Sequence, residues 1–269
     1  MPSPDNWGYA ARIGLFIVAG EAVPEAEWWA MCPRGVSVHA ARVIAPAPWA
    51  TWSDRRAGQE PELAKVALSP DVLRGCSAFY ALKPSVAVLA HSSSSFIGGP
   101  GWDEATIAAL STELSPGTLA TTNGLDMRLA LSALGAIRPF LVMPAWMSDK
   151  LVEAAQGYFA AHGFAVQAAW RHEPAARWQG IAPQDLYSHG MAIDQETGTL
   201  FEQVCSHCPP EADSIVLAGT GLRCVAMIDA LEARLQRPVI TANQASLWRA
   251  LKAAGAPKGR DGYGALLRA

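Results

Sequence analysis

The sequence predicts an α/β protein made of two similar halves, each a parallel sheet covered by helices on both faces. Three observations predict it. Short apolar runs alternate with helical spacing along the chain, the pattern of parallel strands joined by helical crossovers. The tripeptide Val-Leu-Ala occurs twice, in VLAHSSSSF (88–96) and VLAGTGLRC (216–224), and each copy breaks into small polar residues. Finally, LATTNGLDMRLALSALGA (119–136) aligns at one constant offset with VITANQASLWRALKAAGA (239–256). In that alignment Thr121 meets Thr241, Asn123 meets Asn243, and Gly135 meets Gly255.

Taken in order, Arg12–Val18 and Val36–Ile44 are apolar runs of strand length, and Pro61–Tyr80 has helical spacing. Ser85–Ala90 is a third strand, followed by the turn GGPG (98–101) and a helix over Trp102–Leu114. Thr118–Thr122 is a strand and Asn123–Leu134 a helix. The series restarts with strand Arg138–Met143, helix Ser148–His162 and strand Phe164–Trp170. A loop and a helix cover Pro174–His207. Strand Ser214–Ala218, helix Leu222–Leu235, strand Pro238–Thr241 and helix Asn243–Ala254 follow. In both aligned segments the Asn stands where a helix cap is expected, and the Gly where a helix terminates.

The chain has 269 residues, 51% hydrophobic and 17% charged, with a formal net charge of -3. A large core is therefore available, and no charge block favours nucleic acid or an anionic membrane surface. No apolar run reaches membrane-spanning length. The start, Met1–Trp7, lacks the basic and apolar regions of a signal peptide, so a cytoplasmic location is expected. Five cysteines, an odd number, point to reduced thiols rather than a disulfide framework. The run CSHC (205–208) lacks a fourth ligand in sequence, so no metal is expected, and the plain reading is a helix end with two half-buried thiols.

Ligands of open α/β sheets bind at strand C-terminal ends. His91, Ser92, Ser93, Thr121, Thr122, Gly219, Thr220 and Asn243 all lie at or just past such an end. The two Val-Leu-Ala copies thus become opposite walls of one cleft.

These residues resemble the aspartate/glutamate racemase superfamily, in the branch holding arylmalonate decarboxylase and maleate cis-trans isomerase. The resemblance is strongest at SSSSFIGG (92–99), across Gly219–Trp248 and at GYGALL (262–267). It implies two pseudo-symmetric Rossmann-like halves, residues 1–136 and 137–249, with about 250–269 returning to the first. The active site lies in the cleft between them. It also implies a reaction without cofactor on a small carboxylate or carbonyl compound, through an enolate-like intermediate held by hydroxyl and backbone N–H donors. Chains of this kind often form homodimers, which the sequence leaves open. Relatives place cysteine at one or both strand ends; here the aligned positions hold His91 and Gly219. An expected tyrosine is replaced by Trp146, and an expected asparagine aligns with Glu21. The anion-binding hydroxyls are retained as Ser92, Ser93, Thr121 and Thr122, with Thr220 after Gly219.

Imidazole exchanges protons near neutrality, so His91 is the candidate general acid/base, and the serines beside it are oxyanion donors. The plain alternative is a hydrogen-bonded structural histidine. Glu21 is a second candidate acid or base, against the alternative of a solvated loop carboxylate. Trp146 would favour an apolar substrate portion. Arg42 ends a strand, either as a surface cation or as a carboxylate partner, and His189 lies in a loop that could cover the cleft. No Gly-x-Ser-x-Gly elbow surrounds the serine run. The leading expectation is a decarboxylase- or isomerase-type enzyme using His91 in place of cysteine. The alternatives are a hydratase or hydrolase in which His91 activates water, and a non-catalytic protein that binds small acids.

Overall fold

The computed structural model describes residues 7–44 and 68–269. The first half runs β1 (Ala11–Val18), α1 (Val23–Met31), β2 (Val36–Val43), α2 (Pro70–Leu82), β3 (Val86–Leu89), α3 (Ser92–Gly98), α4 (Trp102–Glu113), β4 (Leu119–Thr122) and α5 (Asn123–Ala133). The second runs β5 (Pro139–Met143), α6 (Asp149–Ala161), β6 (Ala168–Arg171), α7 (Pro183–Leu186), α8 (Thr197–His207), β7 (Ser214–Leu217), α9 (Ile228–Leu235), β8 (Val239–Thr241), α10 (Ala242–Ala253) and α11 (Gly264–Arg268).

The strand orders are β2-β1-β3-β4 and β6-β5-β7-β8, the same topology twice, and every pairing is parallel. Each order reverses direction between its second and third strands, so a crevice opens at the carboxyl ends there. Those ends are Val18 and Leu89 in one half, Met143 and Leu217 in the other.

Period-two alternation sorts the first sheet onto two cores. Phe16, Ala87 and Leu89 join Val72, Cys76, Phe79 and Trp102 under α2 and α4. Ile13, Leu15, Ile17, Val86 and Val88 face the other way, into a core continuous with Phe140, Val142, Ile215 and Leu217 of the second sheet. The two halves therefore share one apolar interior, with α5 packed along α10. The C-terminal stretch touches both: Arg260 donates to the Met31 and Cys32 carbonyls, while α11 packs on α9 and β8. None of the described helices is long and apolar enough to cross a membrane.

Several elements differ from expectation, among them the helices α1 and α11, which were not expected. The helix expected over Pro61–Tyr80 begins at Pro70, where Ser69 caps it by accepting from Val72 N; residues 61–67 lie outside the described residues. Strand pairing before Trp170 is limited to Ala168 onward, because residues 165–167 reach β5 through isolated bonds such as Gln167 N to Pro139 O at 3.0 Å. The helix expected from Leu222 begins only at Ile228, after a 3₁₀ turn over Val225–Met227. Its missing turn has a cause: Cys224 N and Val225 N donate to the Glu27 carboxylate at 2.7 and 3.1 Å. The serine run, to which no element was assigned above, forms α3. Serine is a weak helix former because its hydroxyl competes for backbone groups. Here two hydroxyls are engaged elsewhere, Ser94 Oγ with His91 Nδ1 and Ser95 Oγ with Asp103.

The repeat itself needs one correction. Asn123 and Asn243 are not caps. Thr122 and Thr241 occupy the N-cap positions, and Thr241 with Gln244 forms a full capping box. The asparagines lie inside the first turn, where Asn123 Nδ2 donates to Ala242 O and Ser246 Oγ at 2.8 and 2.9 Å. Gly135 and Gly255 do terminate their helices in the left-handed region, at φ 67° and 62°.

Candidate active site

At the crevice lies a cavity of about 500 Å³. From the first half it is lined by Val18, Glu21, His91, Ser92, Ser93 and Ile97; from the second by Trp146, Met147, Ser148, Leu151, Gln184, Tyr187, Gly219, Thr220 and Gly221. Seven of the residues singled out in the sequence thus meet here: His91, Glu21, Ser92, Ser93, Trp146, Gly219 and Thr220.

Strand β3 delivers His91 to the N-cap position of α3 in extended conformation. Its Nδ1 lies 2.7 Å from Ser94 Oγ. Burial pushes its pKa down to about 4, so the free imidazole is neutral at neutral pH. Ser92 and Ser93 follow at the first turn, where backbone N–H groups have no intrahelical acceptor.

Glu21 comes from the turn after β1 and reaches across to the second half. Thr220 Oγ1 lies 3.3 and 3.1 Å from its two carboxylate oxygens and donates to it. The carboxyl lies so close to Gly221 that a Cβ there would sit 3.1 Å from Oε1. Burial raises its pKa to about 7, against the lowering effects of the Thr220 hydrogen bond and Arg42. Arg42 does not line the cavity: it donates to the Ala19 and Glu21 carbonyls at 2.9 and 2.8 Å and pairs with Glu25. It holds the turn that presents Glu21.

Three residues expected at the site, Thr121 and Thr122 for the anion and Asn243 at a strand end, do not line the cavity. Thr121 Oγ1 donates to Asp126 at 2.5 Å and Thr122 Oγ1 to Asp103 at 2.7 Å. Both threonines are buried, so their protons serve carboxylates inside the protein. Asp103 also accepts from Ser95 and Tyr158; Asp126 accepts from Ser246 at 2.7 Å. Asn243 is likewise buried behind the wall, donating to Glu27 Oε2 at 2.7 Å and to Thr220 O at 2.9 Å. His189 is exposed, its Nδ1 against Asp185 O.

Sequence reasoning passed over Glu27. This α1 carboxylate of the first half accepts from Cys224 N, Val225 N and Asn243 Nδ2 of the second, fixing the loop that carries Gly219–Gly221. Burial raises its pKa to about 7 as well. It also passed over Tyr187 and Gln184, which a short helix and a following π-helical turn (Tyr187–Met191) bring in over the cavity. Their segment carries no strand-end signal, so position alone could not have found them.

Gly219 adopts φ 94°, and a Cβ there would meet Pro144 Cγ at 2.6 Å. The close approach of the Pro144 ring to the Gly219 backbone shapes the second wall.

No cysteine lines the cavity. Cys32, Cys76 and Cys224 are buried, with Cys205 and Cys208 half-buried at the end of α8. Burial raises Cys32 to about 12 and Cys76 to about 11, and raises Cys224 as well; thiols in such settings are poorly reactive. Among the described residues no group of His, Cys, Asp and Glu could hold a metal ion. Iodoacetamide at a dose that modifies exposed thiols is therefore expected to leave activity largely intact. Diethyl pyrocarbonate is expected to abolish it, with protection by a bound acid. Residual turnover beside a mass-spectrometric map of modified residues checks this, and inactivation tracking a single alkylated cysteine would contradict it.

A family model described as arylmalonate decarboxylase matches residues 81–267. Several solved structures share the fold. An arylmalonate decarboxylase is 22% identical at TM-score 0.72, covering 96% of this chain and 99% of its own. The maleate isomerase Iso from Pseudomonas putida S16 is 21% identical at TM-score 0.76, covering 96% and 98%. The Nocardia farcinica maleate cis-trans isomerase is 20% identical at TM-score 0.74, also covering 96% and 98%. No curated protein matches the sequence.

Proposed function

Because the chain belongs to the arylmalonate decarboxylase family, we propose that it is a decarboxylase- or isomerase-type enzyme that acts on a small carboxylic acid without a cofactor. His91 serves as general acid/base in place of a thiol, and Glu21 is the second proton-transfer group. The observation that carries this reading is the cavity wall: an imidazole and a carboxyl from the first half meet the Gly219–Gly221 loop of the second, with no cysteine in the lining.

The chemistry follows from the two environments. Among the described residues no lysine or arginine lines the cavity, so the donors these residues offer to the charge of a substrate acid are neutral. Ser92, Ser93 and the N–H groups of their turn supply such donors, aimed where negative charge develops. For decarboxylation, the bond from the α-carbon to one carboxylate breaks and carbon dioxide leaves. The electron pair stays on the α-carbon and spreads into the remaining carboxyl as an enediolate, and a proton then returns to carbon. For isomerisation by proton transfer, a base removes the α-proton and an acid returns it. His91 begins neutral, and an anion beside it favours the imidazolium form, which then gives its proton to carbon. Glu21, raised to about 7, is matched to proton exchange near neutrality.

The test uses phenylmalonate and α-aryl carboxylates in deuterium oxide, followed by NMR. The expected result is carbon dioxide loss or deuterium at the α-carbon, dependent on His91. Tight binding of these acids with no turnover would overturn the enzymatic reading in favour of an acid-binding protein.

The pH profile reports on Glu21. If the protonated carboxyl is the donor, kcat/KM is constant below about pH 7 and falls roughly tenfold per unit above it. Glu21→Gln removes that limb and lowers the plateau. A limb falling toward acid instead, absent in the variant, would make Glu21 the base.

A further inference from the structure

Tyr187 lines the cavity beside Glu21. Its hydroxyl oxygen is buried, yet among the described residues it has no hydrogen-bond partner. Burying a hydroxyl without a partner costs stability, and such groups in native proteins call for an explanation. The ring is held in place. Trp146 meets it edge-on at 5.6 Å and 70°, and Gly20 lies near enough that a Cβ there would make ordinary contact with the oxygen at 3.8 Å. The residue opens the π-helical turn Tyr187–Met191, in which Gly190 departs from helical geometry at φ 103°. Such turns are uncommon and recur at functional sites. Among the described residues no cation lines the cavity, and the Thr220 hydroxyl already serves Glu21. The phenol is thus a free donor at the Glu21 end.

We propose that Tyr187 is a substrate-binding residue whose hydroxyl donates to an anionic oxygen of the bound acid at the Glu21 end of the cavity. Burial, and then the nearby Glu21 charge, push its pKa up to about 12, so it keeps its proton across the neutral range and acts as a donor. Trp146 fixes the ring that carries this donor, which gives the aromatic pair a part in orientation as well as apolar contact. The proposal rests on reading the cavity as a site for carboxylic acids.

The test measures phenylacetate binding by calorimetry, and melting of the ligand-free proteins, for the wild type and Tyr187→Phe. A hydrogen bond to a charged group is worth enough that Kd is expected to rise about 10–100-fold. Melting should be unchanged or raised, because the variant deletes an unpartnered buried hydroxyl. A structural hydroxyl moves these readouts the opposite way: melting falls and Kd holds, and that pattern overturns the assignment. A second readout needs no variant. Among the five tyrosines of the chain, ring-labelled NMR should show one resonance moving on phenylacetate addition, and a spectrum with none moving also overturns it. If neither phenylacetate nor phenylmalonate binds the wild type, the acid-site reading itself fails and this inference with it. Equal Kd in wild type and variant sinks Tyr187 alone.

Discussion

Replacing His91 by alanine should lower turnover about 10²–10⁴-fold, the usual contribution of a positioned general acid or base. The chain should still fold, because among the described residues the His91 side chain hydrogen-bonds only to Ser94, and the apolar interior does not depend on it. The loss should fall mainly on kcat, since Ser92 and Ser93 still hold the acid. His91→Asn sharpens the experiment: an amide keeps a hydrogen bond toward Ser94 but cannot carry a proton at neutral pH. If the asparagine variant retains near wild-type turnover while circular dichroism shows a native fold, His91 is a structural residue and the chemistry lies elsewhere.

The second large effect is on stability. Glu27→Ala strands three buried donors at once, Cys224 N, Val225 N and Asn243 Nδ2. At about 1–3 kcal/mol for each unsatisfied group, with partial relaxation, the expected cost is on the order of 3–5 kcal/mol. For a chain of this size that lowers Tm by roughly 10 °C. The wild-type carboxyl also has a pH signature. Its folded pKa is raised from 4.5 to about 7, so its contribution is full below pH 4.5 and is lost as pH rises through about 7. The alanine variant lacks that slope. Because the stranded donors belong to the loop of Gly219–Gly221, activity should fall as well, through disorder of the second wall. Urea denaturation at pH 5 and pH 8 measures both effects, and a loss below 1 kcal/mol would show that the loop holds itself.

Much of this architecture was legible in the sequence, for reasons that can be named. Parallel strands buried on both faces leave unbroken apolar runs, so β3, β5 and β7 fell within the expected spans and β1 began one residue before its own. Strand ends are where small polar residues interrupt those runs, which is why His91 and Gly219 could be placed at the crevice. What stayed hidden was the destination of side chains. Thr121 and Thr122 stand at a strand end as expected, but Asp126 and Asp103 lie where they take up the hydroxyl protons, and no local pattern reports a partner 19 positions away. Asn123 and Asn243 occupy equivalent places in the repeat and do unlike work: one ties α5 to α10, the other ties Glu27 to the Thr220 carbonyl. Glu27 went unnoticed because its three partners lie about 200 residues away, where no local pattern reports them.

The Gly219 backbone limits what substitution can add to the second wall. The resemblance puts a cysteine at this position in relatives, and a single codon change could write one here. That change would not restore a working thiol. At φ 94° a side chain is disfavoured whatever its chemistry, and its first carbon would collide with Pro144. A side chain at this position requires the loop and the proline to move together, so a cysteine introduced at Gly219 alone is expected to strain the second wall rather than supply a reactive group.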